Sequence, residues 1–156
     1  MIEINIPGRK NYIIENIVFD YNGTIAVNGQ IADATKEKLS LLCNIANVYV
    51  LTADTYGSAA KECEGLNLIL KTFPKDNAAD YKKKIVEEIG KEKTICFGNG
   101  FNDIKMFEVV ELSVGVLERE GMCAKLLANA DVLVKSIEDG INLLLNTKAL
   151  IATLRG

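Results

Sequence analysis

The chain has 156 residues, nearly half of them apolar and a quarter charged, with a net charge of −3 and no histidine. It is long enough for one domain with a sizeable core and short for two. The weak negative balance gives no basic field for nucleic acid or anionic lipid. The absence of histidine removes Ser-His and Cys-His nucleophile pairs and makes a zinc site improbable, so any chemistry must come from Asp, Lys, Thr or a metal. Cys43, Cys63, Cys96 and Cys123 form no CxxC pair and read as buried, reduced thiols. No apolar run approaches the roughly 20 residues of a bilayer span, and the opening MIEINIPGRK is an acidic, alternating start unlike a signal peptide. No membrane partner and a cytoplasmic location are expected.

Residues 2–17 alternate on both sides of Pro7-Gly8, which predicts a β-hairpin, an N-terminal extension over residues 1–15, leading into a strand that ends at Asp20. The pattern then alternates in type. A helix is expected over 34–46, a strand over 48–53, a helix over 55–65 stopped by Gly65, a strand over 66–70, a helix over 77–90 and a strand over 94–98. The remainder continues as helix 101–111, strand 112–117, helix 121–130, strand 131–134 and helix 136–146. Strands with almost no polar residues between amphipathic helices indicate a parallel sheet covered on both faces. The expected fold class is α/β, a Rossmann-like three-layer sandwich with a mainly parallel sheet, in a single domain over residues 1–156.

Ligands of such sheets bind beyond the carboxyl ends of the strands. Those ends offer Asp20, then Thr52 and Asp54, then Asn99 and Asp103, all expected to face one crevice. Gly23 permits a bend that presents consecutive backbone N–H groups to an anion, and Thr24 can brace the loop through its hydroxyl. A carboxylate beside such a nest suits phosphoryl transfer. Thr52 can donate its hydroxyl to a phosphate oxygen at the same edge. Ala78, Ile85, Val86 and Ile89 define one face of the helix over 77–90, and Lys82 projects near the centre of that face while Lys83 and Lys84 point away. A lysine facing inward needs an anionic partner. In Gly98-Asn99-Gly100-Phe101-Asn102-Asp103, the third Gly position of a dinucleotide fingerprint holds Asp103; the segment makes better sense as a loop holding Mg²⁺ against Asp20.

The ordered set Asp20-x-Asn22-Gly23-Thr24, Thr52, Lys82 and Gly98-Asn99-Gly100-x-Asn102-Asp103 resembles the four motifs of the haloacid dehalogenase superfamily of phosphohydrolases. The stretches LTADT and KKKIVEEIGKEKTICFGNGFNDIKMFEVVELSVGV are similar to the phosphorylation domain of P-type ATPases, here without membrane helices, and the likeness spans about Ile17 to Val134. It implies Asp20, Asn22, Thr52 and Lys82 as catalytic positions, with Asp20 the phosphoryl acceptor. It places Tyr21, Asn22, Gly23, Thr52, Ala53 and Lys82 around the phosphate, and Mg²⁺ on Asp20, the Asn22 carbonyl, Asn99 and Asp103. Two positions depart from the pattern: the family's phosphatases have Asp at position 22, and most members have Asp at position 99. A weakly held ion and a slow enzyme are therefore expected.

No cap domain fits between Thr24 and Thr52 or between Thr52 and Lys82. By resemblance, a capless member accepts a bulky phosphorylated substrate, small molecule or macromolecule, or borrows a second copy as its lid, so a homo-oligomer is expected. The function implied is a Mg²⁺-dependent phosphatase or phosphotransferase working through an aspartyl-phosphate. The alternative, kept open by Asn22, is a regulatory module that binds Mg²⁺ and phosphate, or is phosphorylated on Asp20 and read by a partner. A response-regulator receiver domain uses the same residue types, but its acidic pair ends the first strand and its phosphorylated Asp comes later, against the order here.

Overall fold

In the computed structural model, which describes residues 1–54 and 57–156, the alternating start forms an antiparallel hairpin of β1 (Ile2–Asn5) and β2 (Asn11–Ile14). Ile2 lies opposite Ile14 and Ile4 opposite Tyr12. These four are buried while Glu3, Asn11 and Ile13 are exposed, as the two-residue period of a half-covered sheet requires.

A second sheet has six parallel strands: β3 (Asn16–Asp20), β4 (Asn47–Thr52), β5 (Ile69–Thr72), β6 (Thr94–Gly98), β7 (Leu112–Val116) and β8 (Val132–Val134). Their order is β5-β4-β3-β6-β7-β8. The chain winds outward from β3 through β4 and β5, then crosses back to β6 and winds the other way. The loops that leave β3 and β6 therefore diverge, and a crevice opens where the direction of winding reverses. The helices are α1 (Asp33–Cys43), α2 (Ser58–Glu62), α3 (Ala78–Ile89), α4 (Ile104–Phe107), α5 (Ile137–Leu145) and α6 (Lys148–Leu154).

Alternation along the strands divides the core between the two faces. Ile17, Phe19, Ile95 and Phe97 share one face with Leu39 and Leu42 of α1, Ile141 and Leu144 of α5 and the hairpin. There the Phe19 and Phe97 rings stack at 4.7 Å. Val18, Leu51 and Cys96 share the other face with Val86 of α3 and with Met106 and Phe107 of α4. Full burial of each such side chain stabilises the fold by roughly 1.5–3 kcal/mol. Asp20 has the parity of Val18, so β3 delivers it to the side on which α3 packs.

Several boundaries differ from the sequence expectation. The strand expected over 66–70 begins at Ile69, because Leu66 N still donates to Cys63 O in the turn after α2. The helix expected over 55–65 is described as α2, Ser58–Glu62; Thr55 and Tyr56 lie outside the described residues. The helix expected over 101–111 is a 3₁₀ turn, Phe101–Asp103, followed by the single turn of α4. Glu111 N is drawn off to Lys91 O, which starts β7 at the next residue. The helix expected over 121–130 is a 3₁₀ segment, Ala124–Asn129, held at its ends by Cys123 N on Asn99 O and Asp131 N on Ser113 O. Of the cysteines, Cys63 and Cys96 are buried, whereas Cys43 and Cys123 are only half-buried.

Candidate active site

The crevice beyond the ends of β3, β4 and β6 has a volume of about 210 Å³ and is lined by Asp20, Asn22, Thr52, Ala53, Phe73, Lys82, Asn99, Gly100 and Asn102. At its floor Lys82, 2 % exposed, donates to Asp20 Oδ1 at 2.7 Å, Asp103 Oδ1 at 2.7 Å and Asn102 Oδ1 at 2.8 Å. Those three bonds use all three donors of the ammonium. The helical phase thus puts Lys82 against Asp20, with Lys83 half-buried and Lys84 exposed on other faces of α3.

Asp103 is fully buried, and its Oδ2 accepts from the backbone N–H of Asn99 at 3.0 Å and of Gly100 at 2.9 Å. A Cβ at Gly98 would come within 2.5 Å of Asp103 Cγ, so this clamp requires glycine there. Both carboxylate oxygens accept hydrogen bonds, and Asp103 is not among the residues lining the crevice. In this arrangement Asp103 fixes the loop and pairs with Lys82, which differs from its expected place in a metal shell.

The predicted nest is also corrected. Tyr21 N completes the sheet by donating to Leu51 O at 3.1 Å, and Gly23 N closes a turn on Ala26 O at 2.8 Å. Neither residue lines the crevice. The Tyr21 hydroxyl donates to Gly29 O at 2.8 Å from beneath the loop, and burial pushes it up to about 12. Gly23 has φ +77°, and a Cβ there would lie 2.3 Å from Asn99 Nδ2, so its place serves the close approach of the two loops. Asp54, expected in the crevice, turns instead to the start of α2, where Oδ2 accepts from Ala59 N at 2.9 Å and from the Ser58 hydroxyl.

Thr52 accepts from Asp54 N at 3.0 Å, which leaves its own hydroxyl proton to aim elsewhere. The buried Thr24 hydroxyl lies between Asp20 Oδ2 at 3.3 Å and Asn99 Oδ1 at 3.2 Å, its single proton shared by the two oxygens. Those oxygens are hard donors on one side of the crevice and suit a cation such as Mg²⁺. Among the described residues no group of three or more His, Cys, Asp or Glu gathers. With Asp103 committed, Asp20 is the one formal negative charge of that oxygen set.

Burial, and next the charge of Asp103, push the Asp20 carboxyl up to about 7 against the pull of Lys82. Burial opposes the Lys82 charge, but the carboxylates of Asp20 and Asp103 hold its ammonium above the ordinary lysine value. Asn102, within the Gly98–Asp103 segment, and Phe73, on the loop after β5 where the sequence carries no signal, also line the crevice.

Residues 68–143 match the family model for haloacid dehalogenase-like hydrolases. The chain belongs to this family. An uncharacterized protein of Methanocaldococcus jannaschii is 41 % identical over 78 residues, covering 47 % of this chain and 84 % of that protein. A second from the same organism is 49 % identical over 39 residues, covering 25 % of this chain and 89 % of its own length. Solved hydrolase structures of this family share the fold. The cobalt-bound deoxy-D-mannose-octulosonate 8-phosphate phosphatase of Haemophilus influenzae superposes with a TM-score of 0.72 at 12 % identity, over 87 % of this chain and 90 % of that one. The 3-deoxy-D-manno-octulosonate 8-phosphate phosphatase of Moraxella catarrhalis, solved with magnesium ion, phosphate ion and the sugar acid, gives 0.67 at 15 %, over 91 % and 94 %. Among the described residues of this hydrolase-family chain, no helix is long and apolar enough to cross a membrane.

Proposed function

We propose that this hydrolase is a phosphohydrolase that takes a phosphoryl group onto Asp20 and passes it to water. The observation that carries the reading is the pairing of the Asp20 carboxylate with the buried Lys82 ammonium, 2.7 Å apart, at the floor of a crevice edged by Thr52. An oxygen of Asp20 attacks phosphorus, and the ester P–O bond breaks with its electron pair going to the leaving oxygen. Water then attacks phosphorus, the bond to Asp20 breaks, and carboxylate and inorganic phosphate are restored. The Thr52 hydroxyl holds a phosphate oxygen, and Lys82 takes another by giving up one of its three present acceptors, so that its charge offsets the phosphate's as the bonds change.

Asn22, exposed at the rim, has no proton to give. The leaving oxygen takes its proton from solvent, which favours acyl and aryl phosphates over alkyl ones. Asp20, Asn99 and the Asn22 carbonyl would hold Mg²⁺, which when bound offsets the repulsion between carboxylate and phosphate. With one formal charge among these groups the ion binds weakly. The phosphatase neighbours solved with magnesium and with cobalt support divalent-metal use. Between β3 and α1 the chain has only a short flap, residues 25–32, and this leaves room for a bulky phosphorylated substrate or for a second copy of the chain as lid, which sedimentation tests.

The deciding experiment incubates the protein with acetyl phosphate and p-nitrophenyl phosphate, with Mg²⁺ or with a chelator, and analyses acid-quenched samples by mass. Mg²⁺-dependent phosphate release with a phosphorylated Asp20 is expected. Asn22 favours the second reading, a module phosphorylated on Asp20 and read by a partner, and that reading is the correct one if the phosphoprotein forms without turnover. Neither release nor phosphoprotein refutes both.

A further inference from the structure

Asn99 is gripped by the segment from Leu117 to Cys123. Its carbonyl accepts from Cys123 N at 2.8 Å, and its Nδ2 donates to Gly121 O at 3.0 Å. With Nδ2 turned to Gly121, Oδ1 faces the Thr24 hydroxyl, whose other acceptor is Asp20 Oδ2. The segment is itself tied down at its start, where Leu117 N donates to Val134 O at 3.0 Å and Glu118 Oε1 accepts from Ile137 N at 2.9 Å.

On its other side, Glu120 Oε2 accepts from Asn28 N at 3.1 Å, at the tip of the flap. The flap is a tight two-residue hairpin. Val27 and Gln30 exchange both backbone bonds, at 3.0 and 3.1 Å, around Asn28 and Gly29, whose φ values of 52° and 75° fit a type I′ turn. The flap leaves the sheet through Thr24, whose hydroxyl returns to Asn99. A ring of contacts thus runs from Asn99 through Gly121, Glu120, Asn28 and Thr24 back to Asn99. Flap and segment face each other across a cavity of about 200 Å³ lined in part by Thr24, Val27, Glu118 and Arg119.

We propose that Leu117–Cys123 is a positioning strap that joins the flap tip to Asn99 and keeps Asn99 Oδ1 turned toward Asp20. Glu120 is the positioning residue that links the two. The strap's effect on metal rests on the proposed role of Asn99 as a cation-binding oxygen; its effect on the Asn99 amide does not.

The test compares metal-free wild type, Glu120→Ala and Glu120→Gln by hydrogen exchange of the Asn99 side-chain amide and the Asn28 backbone amide, then titrates each protein with Mg²⁺ by calorimetry. Loss of one hydrogen bond in the ring speeds Asn99 amide exchange about 3- to 10-fold in Glu120→Ala and raises the half-saturating Mg²⁺ concentration by a similar factor. Glu120→Gln, whose side-chain oxygen still accepts from Asn28, restores both. The strap is overturned if Glu120→Ala releases Asn28 while Asn99 exchange stays as in wild type. Should wild type bind no Mg²⁺ and hydrolyse no phosphate, the proposed function fails, and Asn99 exchange alone still upholds or overturns the strap.

Discussion

Asp20 and Asp103 share one ammonium, each with its Oδ1 2.7 Å from Lys82 Nζ. Their second oxygens differ. Asp103 Oδ2 accepts two backbone N–H bonds near 3 Å, whereas Asp20 Oδ2 has a hydroxyl at 3.3 Å whose proton it shares with Asn99. Backbone donors are fixed by the fold and stabilise a charge permanently. A shared hydroxyl gives way to a ligand. The same residue type, buried in both cases but open to the crevice only at Asp20, thus becomes an anchor in one case and the proposed reactive group in the other, and what separates them is exposure together with the number and rigidity of the donors.

The sharpest way to break this comparison is to neutralise each carboxylate in turn. Asp20→Asn should lower phosphatase activity by roughly 10⁴-fold or more, as loss of a nucleophile does, and leave the protein at least as stable as wild type at pH 8, read by denaturant titration. Asp103→Ala should instead destabilise the fold by about 3–5 kcal/mol, since it strips the buried Lys82 of a partner and removes the acceptor of two part-buried N–H groups. Were Asp20→Asn the unstable variant and Asp103→Ala the stable one, the two roles would have to be exchanged.

A smaller effect concerns the proton that the reactive carboxylate lacks at its side. Asn22→Asp should raise turnover on alkyl phosphates by about 10-fold or more, with a lesser gain on p-nitrophenyl phosphate, whose leaving group departs unprotonated. Wild-type turnover that is already fast on alkyl phosphates and unchanged by the substitution would mean that another group supplies the proton.

The last comparison concerns the pH dependence of stability. The unfolded chain releases the Asp20 proton near the ordinary value of 3.8, and the folded protein keeps it up to about 7. Between those values the folded state binds more protons. The contribution is fully present below about pH 4 and is lost as pH rises through about 7. Denaturant midpoints across that window should show wild type falling relative to Asp20→Asn. A parallel course of the two would show that Asp20 is not the group that titrates.

The sequence by itself determined the hairpin, the succession of strands and helices around the site, the strand ends that carry Asp20, Thr52 and Asn99, and the inward phase of Lys82. Those features are legible because periods of 2 and 3.6 record which face of an element meets the core, and that information is local. It did not reveal α6, the short forms of the segments after β6 and β7, or the parts played by Asp54, Tyr21, Gly23 and Asp103. Each of these depends on where a directional bond finds its partner. Asp54 had the composition of a crevice residue, yet the N–H groups of α2 lay closer; Asp103 had the composition of a metal ligand, yet its own loop and Lys82 used its oxygens. Asn99 and Gly121, 22 residues apart, and Asn28 and Glu120, 92 apart, carry no joint pattern in the sequence. Only packing of the finished sheet brings such groups within 3 Å, because hydrogen bonds choose partners by distance and angle, which a one-dimensional pattern does not contain.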